Sequence, residues 1–380
     1  MYYNDFKDLK LSALGLGCMR LPVIDGDDSR PDPAAVQEMV DYALEQGINY
    51  FDTAWAYHGG NSETVIGEAL SKHDRSSFFL ASKFPGYERD NFDKKEEIFE
   101  KQLEKCRTEH FDFYLFHNVT EDNIEWYLDD DLGLMDYLLK QKEAGRIRHI
   151  GFSCHGSFET MHRFVKKYYA HIDFCQIQLN YLDFEFQDAK SKVEYLNNLE
   201  MPIWVMEGLR GGRLAKSCLG GEKLLAKSNP DWTPVHWAFG FLESVPGVTM
   251  ILSGMSNMEQ LQQNIEFFSE KKTISDDDIA TLLTAAHFDL QGKGTVPCTA
   301  CRYCTSKCPQ GLPIPELFGE YNEFVYNEKT SVPCSSISYI PEDKWPGNCI
   351  GCGECAKVCP QHIDIPGTMT KFADMIEREA

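Results

Sequence analysis

The segment AAVQEMVDYALEQGINYFDT, residues 34–53, contains the structural unit that recurs through most of the chain. Its first part places apolar side chains at helical spacing, Gly47 suits the position just beyond a helix end, and residues 49–53 form a short apolar strand pattern. A helix, a glycine and a strand therefore follow one another directly. The same alternation recurs between residues 10 and 268.

Eight short apolar segments are predicted to be strands: 12–16, 49–53, 78–84, 111–117, 148–153, 173–179, 202–206 and 249–253. Amphipathic segments between them are predicted to be helices, including 34–45, 63–72, 94–107, 134–143, 158–169 and 258–268. Eight strand-and-helix units over roughly 250 residues are typical of an α/β (β/α)8 TIM barrel rather than an open doubly wound sheet. We therefore expect a barrel domain over residues 1–290, with an acidic helix start at 276–278 opening a short helix to His287.

Eight of the 14 cysteines lie in a repeat near the end of the chain. The repeat reads Cys298-x2-Cys301-x2-Cys304-x3-Cys308-Pro and Cys349-x2-Cys352-x2-Cys355-x3-Cys359-Pro. This spacing offers three thiolates from one turn to a 4Fe-4S cluster and supplies the fourth from elsewhere. Structural zinc prefers paired Cys-x2-Cys units and has no use for a third cysteine at the same step.

In two-cluster ferredoxins the fourth cysteine crosses between the motifs, and we expect the same here. Cys298, Cys301, Cys304 and Cys359 are assigned to one cluster, and Cys349, Cys352, Cys355 and Cys308 to the other. Cys334, in the spacer, is taken as a non-ligand. With the helical pattern at 316–328, residues 291–380 resemble a small, mainly α-helical ferredoxin-like iron-sulfur domain.

The charge of the chain narrows the possible partners. Lys and Arg number 37 against 59 Asp and Glu, giving a formal net charge of -22. Such a field repels nucleic-acid phosphates and anionic lipid, so we expect neither nucleic-acid nor membrane binding. No apolar run approaches the roughly 20 residues of a bilayer span, and the first residues lack a signal-peptide pattern, so the expected location is cytoplasmic.

Polar residues lie at the carboxyl ends of several predicted barrel strands. Enzymes with this fold have their active sites at that end of the barrel. Asp52, Lys83 and His117 end consecutive strands in the inward phase, and Tyr57 follows in the next loop. A tyrosine is a poor acid, but a nearby ammonium lowers its pKa. We expect Tyr57 to donate a proton, Lys83 to supply the charge, Asp52 to hold Lys83, and His117 to orient a substrate carbonyl.

These stretches resemble the aldo-keto reductase family, in the subgroup fused to a 4Fe-4S domain. The resemblance rests on residues 14–20, 51–57, Glu63-x3-Gly67-x2-Leu70, Lys83, 115–117, 145–148, 150–153 and Gln176. It implies that Tyr57 is the general acid, that Asp52, Lys83 and His117 complete a tetrad, and that a nicotinamide reduces an aldehyde, a ketone or a related unsaturated substrate.

The resemblance also assigns residues that bind the nicotinamide cofactor. Ser153 and Gln176 fit positions that hold the carboxamide, but Cys154 replaces an expected Asn, and Met206 replaces a stacking Tyr. Arg210 and Arg213 are expected to neutralise a pyrophosphate. Ser256, Asn257 and Gln260 are expected to contact ribose or phosphate, in a segment without arginine. We therefore expect NADH to bind at least as readily as NADPH, or a flavin to occupy the cleft.

A hydride carries two electrons, whereas each cluster passes one, so a flavin normally mediates between them. The sequence leaves open a flavin in this chain, a partner such as a ferredoxin or flavoprotein, or clusters that only stabilise the fold. An alternative function is an electron-relay or flavin-binding subunit, whose barrel only docks a cofactor or partner.

Overall fold

The computed structural model describes residues 1–298, 301–327 and 337–379. Cys334 lies outside these ranges. The chain divides into two compact units, Met1–Leu283 and Thr284–Ala380. The division falls within a helix, a few residues before the boundary expected at residue 290.

The first unit is a closed barrel of eight parallel strands, which confirms the predicted fold class. Its strands, in chain order, are β3 (Leu14–Gly17), β4 (Tyr50–Asp52), β5 (Phe79–Phe84), β6 (Phe111–Val119), β7 (Ile147–Cys154), β8 (Phe174–Gln178), β9 (Ile203–Met206) and β10 (Val248–Gly254). Neighbours in the sequence pair in space, and β10 closes the barrel against β3. Each strand overlaps a predicted segment.

An antiparallel hairpin, β1 (Tyr3–Phe6) and β2 (Leu9–Ser12), precedes the barrel and was not predicted. Its apolar side chains belong to the same buried cluster as the rings that fill the barrel interior. The ring of Phe6 meets that of Trp204 edge-on, with centroids 5.0 Å apart. The hairpin therefore closes one end of the barrel, and the carboxyl ends of the strands form the other.

Helices follow the strands around the outside. The helices of this unit are α1 (Pro33–Glu45), α2 (Ser62–Leu70), α3 (Asp90–Asp93), α4 (Lys95–Lys105), α5 (Ile124–Leu128), α6 (Leu134–Glu143), α7 (Phe158–Tyr168), α8 (Asp183–Phe186), α9 (Ala189–Asn198), α10 (Glu222–Leu225), α11 (Pro234–Ser244) and α12 (Met258–Phe267). Gly47, beyond α1, has a φ of 92°, a left-handed conformation that glycine adopts without strain. The acidic start at 276–278 opens α13 (Asp276–Gly292), which runs past the predicted end at His287.

The second unit packs two helices, α14 (Ile314–Asn327) and α15 (Ile365–Glu379), around a small apolar core. Leu317, Phe318 and Phe372 lie at its centre and are at most 1% exposed. Short 3-10 turns, Thr305–Lys307 and Ala356–Val358, follow the third cysteine of each motif. The structure thus has the helical tail that the sequence predicts.

Candidate active site

Strand register brings the three predicted strand-end residues to one edge of the barrel. Tyr50, Ala81 and Leu115 belong to the interior cluster. Asp52, Lys83 and His117 follow them by two residues on β4, β5 and β6, so they share the interior phase. The carboxyl end of the barrel therefore receives all three side chains.

Lys83 is fully buried and holds this group together. Its Nζ atom donates to Asp52 Oδ1 at 2.5 Å and to the carbonyl oxygen of Thr53 at 2.8 Å. It also lies 3.5 Å from the hydroxyl oxygen of Tyr57. Burial alone lowers the pKa of Lys83, but the Asp52 carboxylate and Tyr57 raise it above its usual value. The ammonium therefore keeps its charge.

The net pKa of Tyr57 differs from the sequence expectation. Burial raises this pKa above its ordinary value, and the Lys83 ammonium lowers it by less than burial raises it. Tyr57 is therefore a protonated phenol throughout the neutral range. The ammonium contact favours the phenolate that would form when the proton leaves.

His117 lies between two tyrosine rings, those of Tyr57 and Tyr87. The ring centroids are 5.7 Å and 5.8 Å from that of His117, and both contacts are edge-on. Burial lowers the pKa of His117 well below its usual value, and the positive charges of Lys83 and His155 lower it further. His117 is therefore neutral at pH 7, and its imidazole can donate or accept a hydrogen bond.

A buried polar network supports the turn that carries Tyr57. Glu63, fully buried on α2, accepts hydrogen bonds from Ser82 Oγ and Gln102 Nε2, both at 2.7 Å. Its second oxygen lies 3.4 Å from Lys105 Nζ. Lys105 in turn donates to the carbonyl oxygen of Gly60 at 3.0 Å and lies 4.2 Å from the ring centroid of Trp55. Through Lys105, Glu63 thus supports the chain both before Tyr57, at the Trp55 ring, and after it, at the Gly60 carbonyl.

Ser153 and Gln176 lie buried on β7 and β8, and Met206 ends β9. Ser153 Oγ accepts from the backbone N–H of Asn118 at 2.8 Å. Gln176 Nε2 lies 3.6 Å from Met206 Sδ, while its Oε1 atom is buried without a partner in the described part of the chain. A buried amide oxygen normally accepts a hydrogen bond, and the carboxamide N–H of a nicotinamide is a suitable donor for Gln176 Oε1.

The residue after Ser153 departs from the family pattern in a defined way. Cys154 is buried, and its Sγ atom faces the carbonyl oxygen of Gly156 at 3.8 Å. The next residue, His155, forms a 3.0 Å hydrogen bond between Nδ1 and Gln178 Oε1. The imidazole of His155, which sequence reasoning did not select, is thus the polar group that this loop contributes.

The predicted phosphate-binding residues occupy the loops after β9 and β10. Arg210 is buried and pairs with the fully buried Asp183, its Nη1 atom 2.8 Å from Asp183 Oδ1. The positive charge of Arg210 is therefore balanced by the Asp183 carboxylate. Arg213, in the same loop, is half-buried. Asn257 caps α12 by accepting from the backbone N–H of Gln260 at 2.9 Å.

Ser256 Oγ, also after β10, donates to the backbone oxygen of Arg20 at 2.9 Å. Arg20 was not among the predicted site residues. The segment after β10 has no arginine of its own, and barrel closure brings one to it from the other end of the domain.

The eight motif cysteines line two separate cavities in the second unit. Cys298, Cys301, Cys304 and Cys359 line one, and Cys308, Cys349, Cys352 and Cys355 line the other. Each cavity therefore brings together the first three cysteines of one motif and the last cysteine of the other.

The thiols of each group also interact electrostatically. Burial raises the pKa of Cys355 to about 11, and the nearby Cys308 and Cys349 contribute to the rise. Among the described residues, no three His, Cys, Asp or Glu side chains are placed to hold one metal ion. Sulfurs spread around a cavity are the arrangement that a larger iron-sulfur cluster needs.

A further cavity, of about 840 Å³, lies at the opposite end of the barrel. Its three arginines are already paired, Arg75 with Asp112, Arg107 with Glu68 and Arg146 with Glu100. Among the described residues that line it, there is no unpaired arginine and no group from the carboxyl ends of the strands. Separately, none of the described helices is both long and apolar enough to cross a bilayer.

Each of the two units contains a segment that matches the model of a known protein family. Residues 13–286 match the model of the Aldo/keto reductase family. Residues 297–363 match the model of a 4Fe-4S dicluster domain. The first match spans well over half of the chain.

Individual relatives are distant. The "Uncharacterized oxidoreductase YqkF" of Bacillus subtilis is 24% identical over 314 residues, covering 74% of this chain and 95% of that protein. The "NADH-specific methylglyoxal reductase" of Escherichia coli is 25% identical over 256 residues, covering 59% and 72%. The solved structure of aldo-keto reductase AKR11C1 from Bacillus halodurans, in its holo form, superposes with a TM-score of 0.59 at 22% identity, covering 75% of this chain and 95% of that one.

Proposed function

This chain belongs to the aldo/keto reductase family, and on that premise we propose that it reduces an aldehyde, a ketone or a related unsaturated substrate with Tyr57 as the proton donor. The observation that carries the proposal is the contact of Lys83 with both Asp52 and Tyr57 at the carboxyl end of the barrel. A nicotinamide, when bound, supplies a hydride to the carbonyl carbon.

The protein groups then act on the carbonyl oxygen. His117, neutral and held between two rings, donates a hydrogen bond that orients this oxygen toward Tyr57. The oxygen gains negative charge as the hydride arrives, and the Tyr57 hydroxyl transfers its proton to it. The product is an alcohol, and the Tyr57 phenolate is stabilised by the Lys83 ammonium until solvent returns a proton.

The cofactor lies, in this proposal, along β7 to β10. Ser153 and Gln176 bind the carboxamide, and Met206 lies against the nicotinamide ring. Arg213, Ser256, Asn257 and Gln260 contact the phosphate and ribose groups, with Arg210 acting through its ion pair with Asp183. We infer that NADH binds at least as readily as NADPH, because the segment after β10 supplies no cation of its own.

A barrel that only docks a cofactor or a partner does not account for the buried ion pair. Lys83 and Asp52 have at most 3% of their surface exposed. Taking two charges out of water carries a desolvation cost that their attraction repays only partly. A docking surface needs no such pair, whereas stabilising a phenolate next to a substrate does.

We also infer that each cysteine group holds one 4Fe-4S cluster, because four motif thiols line each cavity. The clusters, when bound, pass single electrons. A ferredoxin or a flavoprotein is the proposed redox partner, unless the chain itself retains a flavin. Releasing the bound cofactor from protein purified without oxygen, while counting iron and sulfide, identifies which arrangement is present.

The test of the proposed function is the variant Tyr57→Phe. We expect kcat for reduction of 4-nitrobenzaldehyde by NADH or NADPH to fall by about 100-fold to 10,000-fold, the usual contribution of a general acid. The Kd of either dinucleotide and the iron content should stay within about twofold of wild type, because the removed hydroxyl binds neither.

The matched control is Tyr87→Phe, which removes a hydroxyl from the other ring against His117. We expect it to lose less than about tenfold in kcat, because Tyr87 does not contact Lys83. If Tyr57→Phe keeps full aldehyde turnover, Tyr57 is not the acid. If wild-type protein oxidises NADH only with quinones and not with aldehydes, the electron-relay function replaces this one.

A further inference from the structure

Arg20 is positioned by the closure of the barrel. It ends a short turn after β3, and Gly17 on β3 pairs with Gly254 on β10. A methyl group on Gly254 would lie 3.1 Å from Arg20 Cβ and 3.3 Å from Arg20 Cδ. The side chain of Arg20 therefore lies across the end of β10, in close contact with the position that a side chain at residue 254 would occupy.

The guanidinium end of Arg20 reaches the loop after β9. A methyl group on Gly211 would lie 3.3 Å from Arg20 Nη2. The hydrogen bond from Ser256 to the Arg20 backbone fixes the turn from the other side. Arg20 thus lies among the loops that follow β9, β10 and β3, three neighbouring strands of the barrel.

Arg20 differs from most of the other arginines in its charge balance. Nine of them pair with carboxylates, namely Arg30, Arg75, Arg89, Arg107, Arg146, Arg148, Arg163, Arg210 and Arg302. In the part of the chain that the structure describes, no ion pair or hydrogen bond engages the Arg20 guanidinium. In a chain with a net charge of -22, such a cation is available to an outside anion.

The order of residues around the barrel indicates which anion. Ser153 and Gln176, on β7 and β8, are the proposed carboxamide ligands, and Met206 ends β9. Continuing in the same direction leads past β10 to β3. In the proposed binding mode, the carboxamide would contact Gln176 and the phosphates would contact residues after β9 and β10, which are the loops that Arg20 adjoins.

We propose that Arg20 binds the pyrophosphate of the dinucleotide through charge-assisted hydrogen bonds. This inference rests on the proposed function, because it requires a nicotinamide dinucleotide in the barrel. Arg20 then supplies the cation that the segment after β10 lacks. Because the pyrophosphate is common to NADH and NADPH, Arg20 strengthens the binding of both.

The experiment measures the Kd of NADH and of NADPH for the full chain with its clusters, at two salt concentrations. Arg20→Gln removes the charge and is expected to raise both Kd values by about tenfold or more, since hydrogen bonds to charged groups are the strong ones. The salt dependence of binding should weaken as well. Arg163→Gln, on the outer helix α7, is the matched control and should leave both Kd values unchanged.

Two further variants keep the test independent of lost folding. Arg20→Lys should recover part of the affinity, because it restores the charge without the bidentate geometry. Gly254→Ala keeps the arginine but places a methyl group against its stem, and should weaken both dinucleotides as well. Iron content and the carbonyl activity at saturating cofactor report that each variant is folded.

The outcomes separate the two proposals. If Arg20→Gln changes neither Kd by more than about twofold while wild type binds dinucleotide and depends on Tyr57, only the Arg20 proposal is overturned. A loss confined to NADPH also overturns it, because Arg20 would then bind the 2'-phosphate. If wild type binds no nicotinamide dinucleotide, both this inference and the proposed function are overturned.

Discussion

The two units of this chain assemble their functional groups in opposite ways. In the barrel, Asp52, Lys83 and His117 come from separate strands, and register alone brings them together. In the second unit, three cysteines of each group come from a single turn of chain. The barrel site is therefore built by long-range packing, whereas the cysteine groups are built by local spacing plus one crossing residue.

The two units also differ in what stabilises them without a cofactor. The barrel interior is filled by packed rings, such as Phe174 and Trp204 with centroids 4.5 Å apart, and its ion pair is already formed. Among the described residues, the apolar core cluster of the second unit contains twelve buried residues, two of them cysteines from the motifs. Small cores of this kind usually need disulfides or metals. We infer that the clusters stabilise the second unit, while the barrel site is preorganised.

The largest expected effect concerns the crossing cysteines. The double variant Cys298→Ser/Cys359→Ser changes one proposed group, so about four of the eight expected irons per chain should remain. Cys298→Ser/Cys308→Ser changes one residue in each group, so nearly all iron should be lost. Iron and sulfide analysis of protein purified without oxygen measures both.

The control for these variants is Cys106→Ser/Cys218→Ser, which changes two buried barrel thiols and should leave the iron unchanged. If the iron contents of the two test variants are reversed, Cys308 belongs with Cys298, and the crossing is absent. Equal losses in both would show that the two sites do not load independently.

The same contrast explains what the sequence could predict. The cysteine spacing is local, and the structure groups the eight residues as predicted, including the crossing of Cys308 and Cys359. Strand and helix patterns were also local, so the barrel was predictable. The placement of Arg20 beside Gly254 was not, because it depends on β10 closing against β3 across more than two hundred residues.

Two other differences have physical causes. The hairpin of β1 and β2 was missed because its four-residue strands, YNDF and LKLS, are interrupted by polar residues, whereas β9, of the same length, is the continuous apolar run IWVM. The net pKa of Tyr57 was predicted downward because the Lys83 charge is visible in the sequence pattern, whereas burial is not. Burial is a property of the folded barrel and outweighs that charge.

A smaller effect tests whether buried polar contacts preorganise the barrel. Glu63→Gln keeps one oxygen for the two 2.7 Å hydrogen bonds from Ser82 and Gln102, but it removes the charge facing Lys105 and places an amide NH2 donor against that ammonium. We expect it to lower the free energy of opening by about 2 kcal/mol, the scale of an unsatisfied buried group. Native-state hydrogen exchange at the amides of β5 measures this loss, and iron content should not change.

The matched control lies on the same helix. Glu68→Gln removes one partner of a half-exposed pair with Arg107 and should cost at most about 0.5 kcal/mol. Equal losses from the two variants would contradict the view that the buried network, rather than α2 as a whole, supports the site. Loss of iron in Glu63→Gln would show that the two units are coupled.

The smallest effect is the response of the barrel to acid. Burial holds the pKa of His117 well below its usual value, with Lys83 and His155 adding to the shift. Below about pH 6.5 the unfolded chain binds a proton at this histidine and the folded barrel does not, so stability falls as the pH falls, by at most about 1.4 kcal/mol per pH unit. His117→Gln should reduce that slope at the amides of β6, corrected for intrinsic exchange, and leave α15 unaffected; burial also lowers the pKa values of His155 and His110, which account for the remaining slope. In wild type, kcat/KM for reduction should be flat from about pH 6.5 to 9 because His117 stays neutral and Tyr57 protonated across it. A wild-type slope that persists undiminished in His117→Gln would assign the acid sensitivity to other groups and remove the argument for a neutral imidazole.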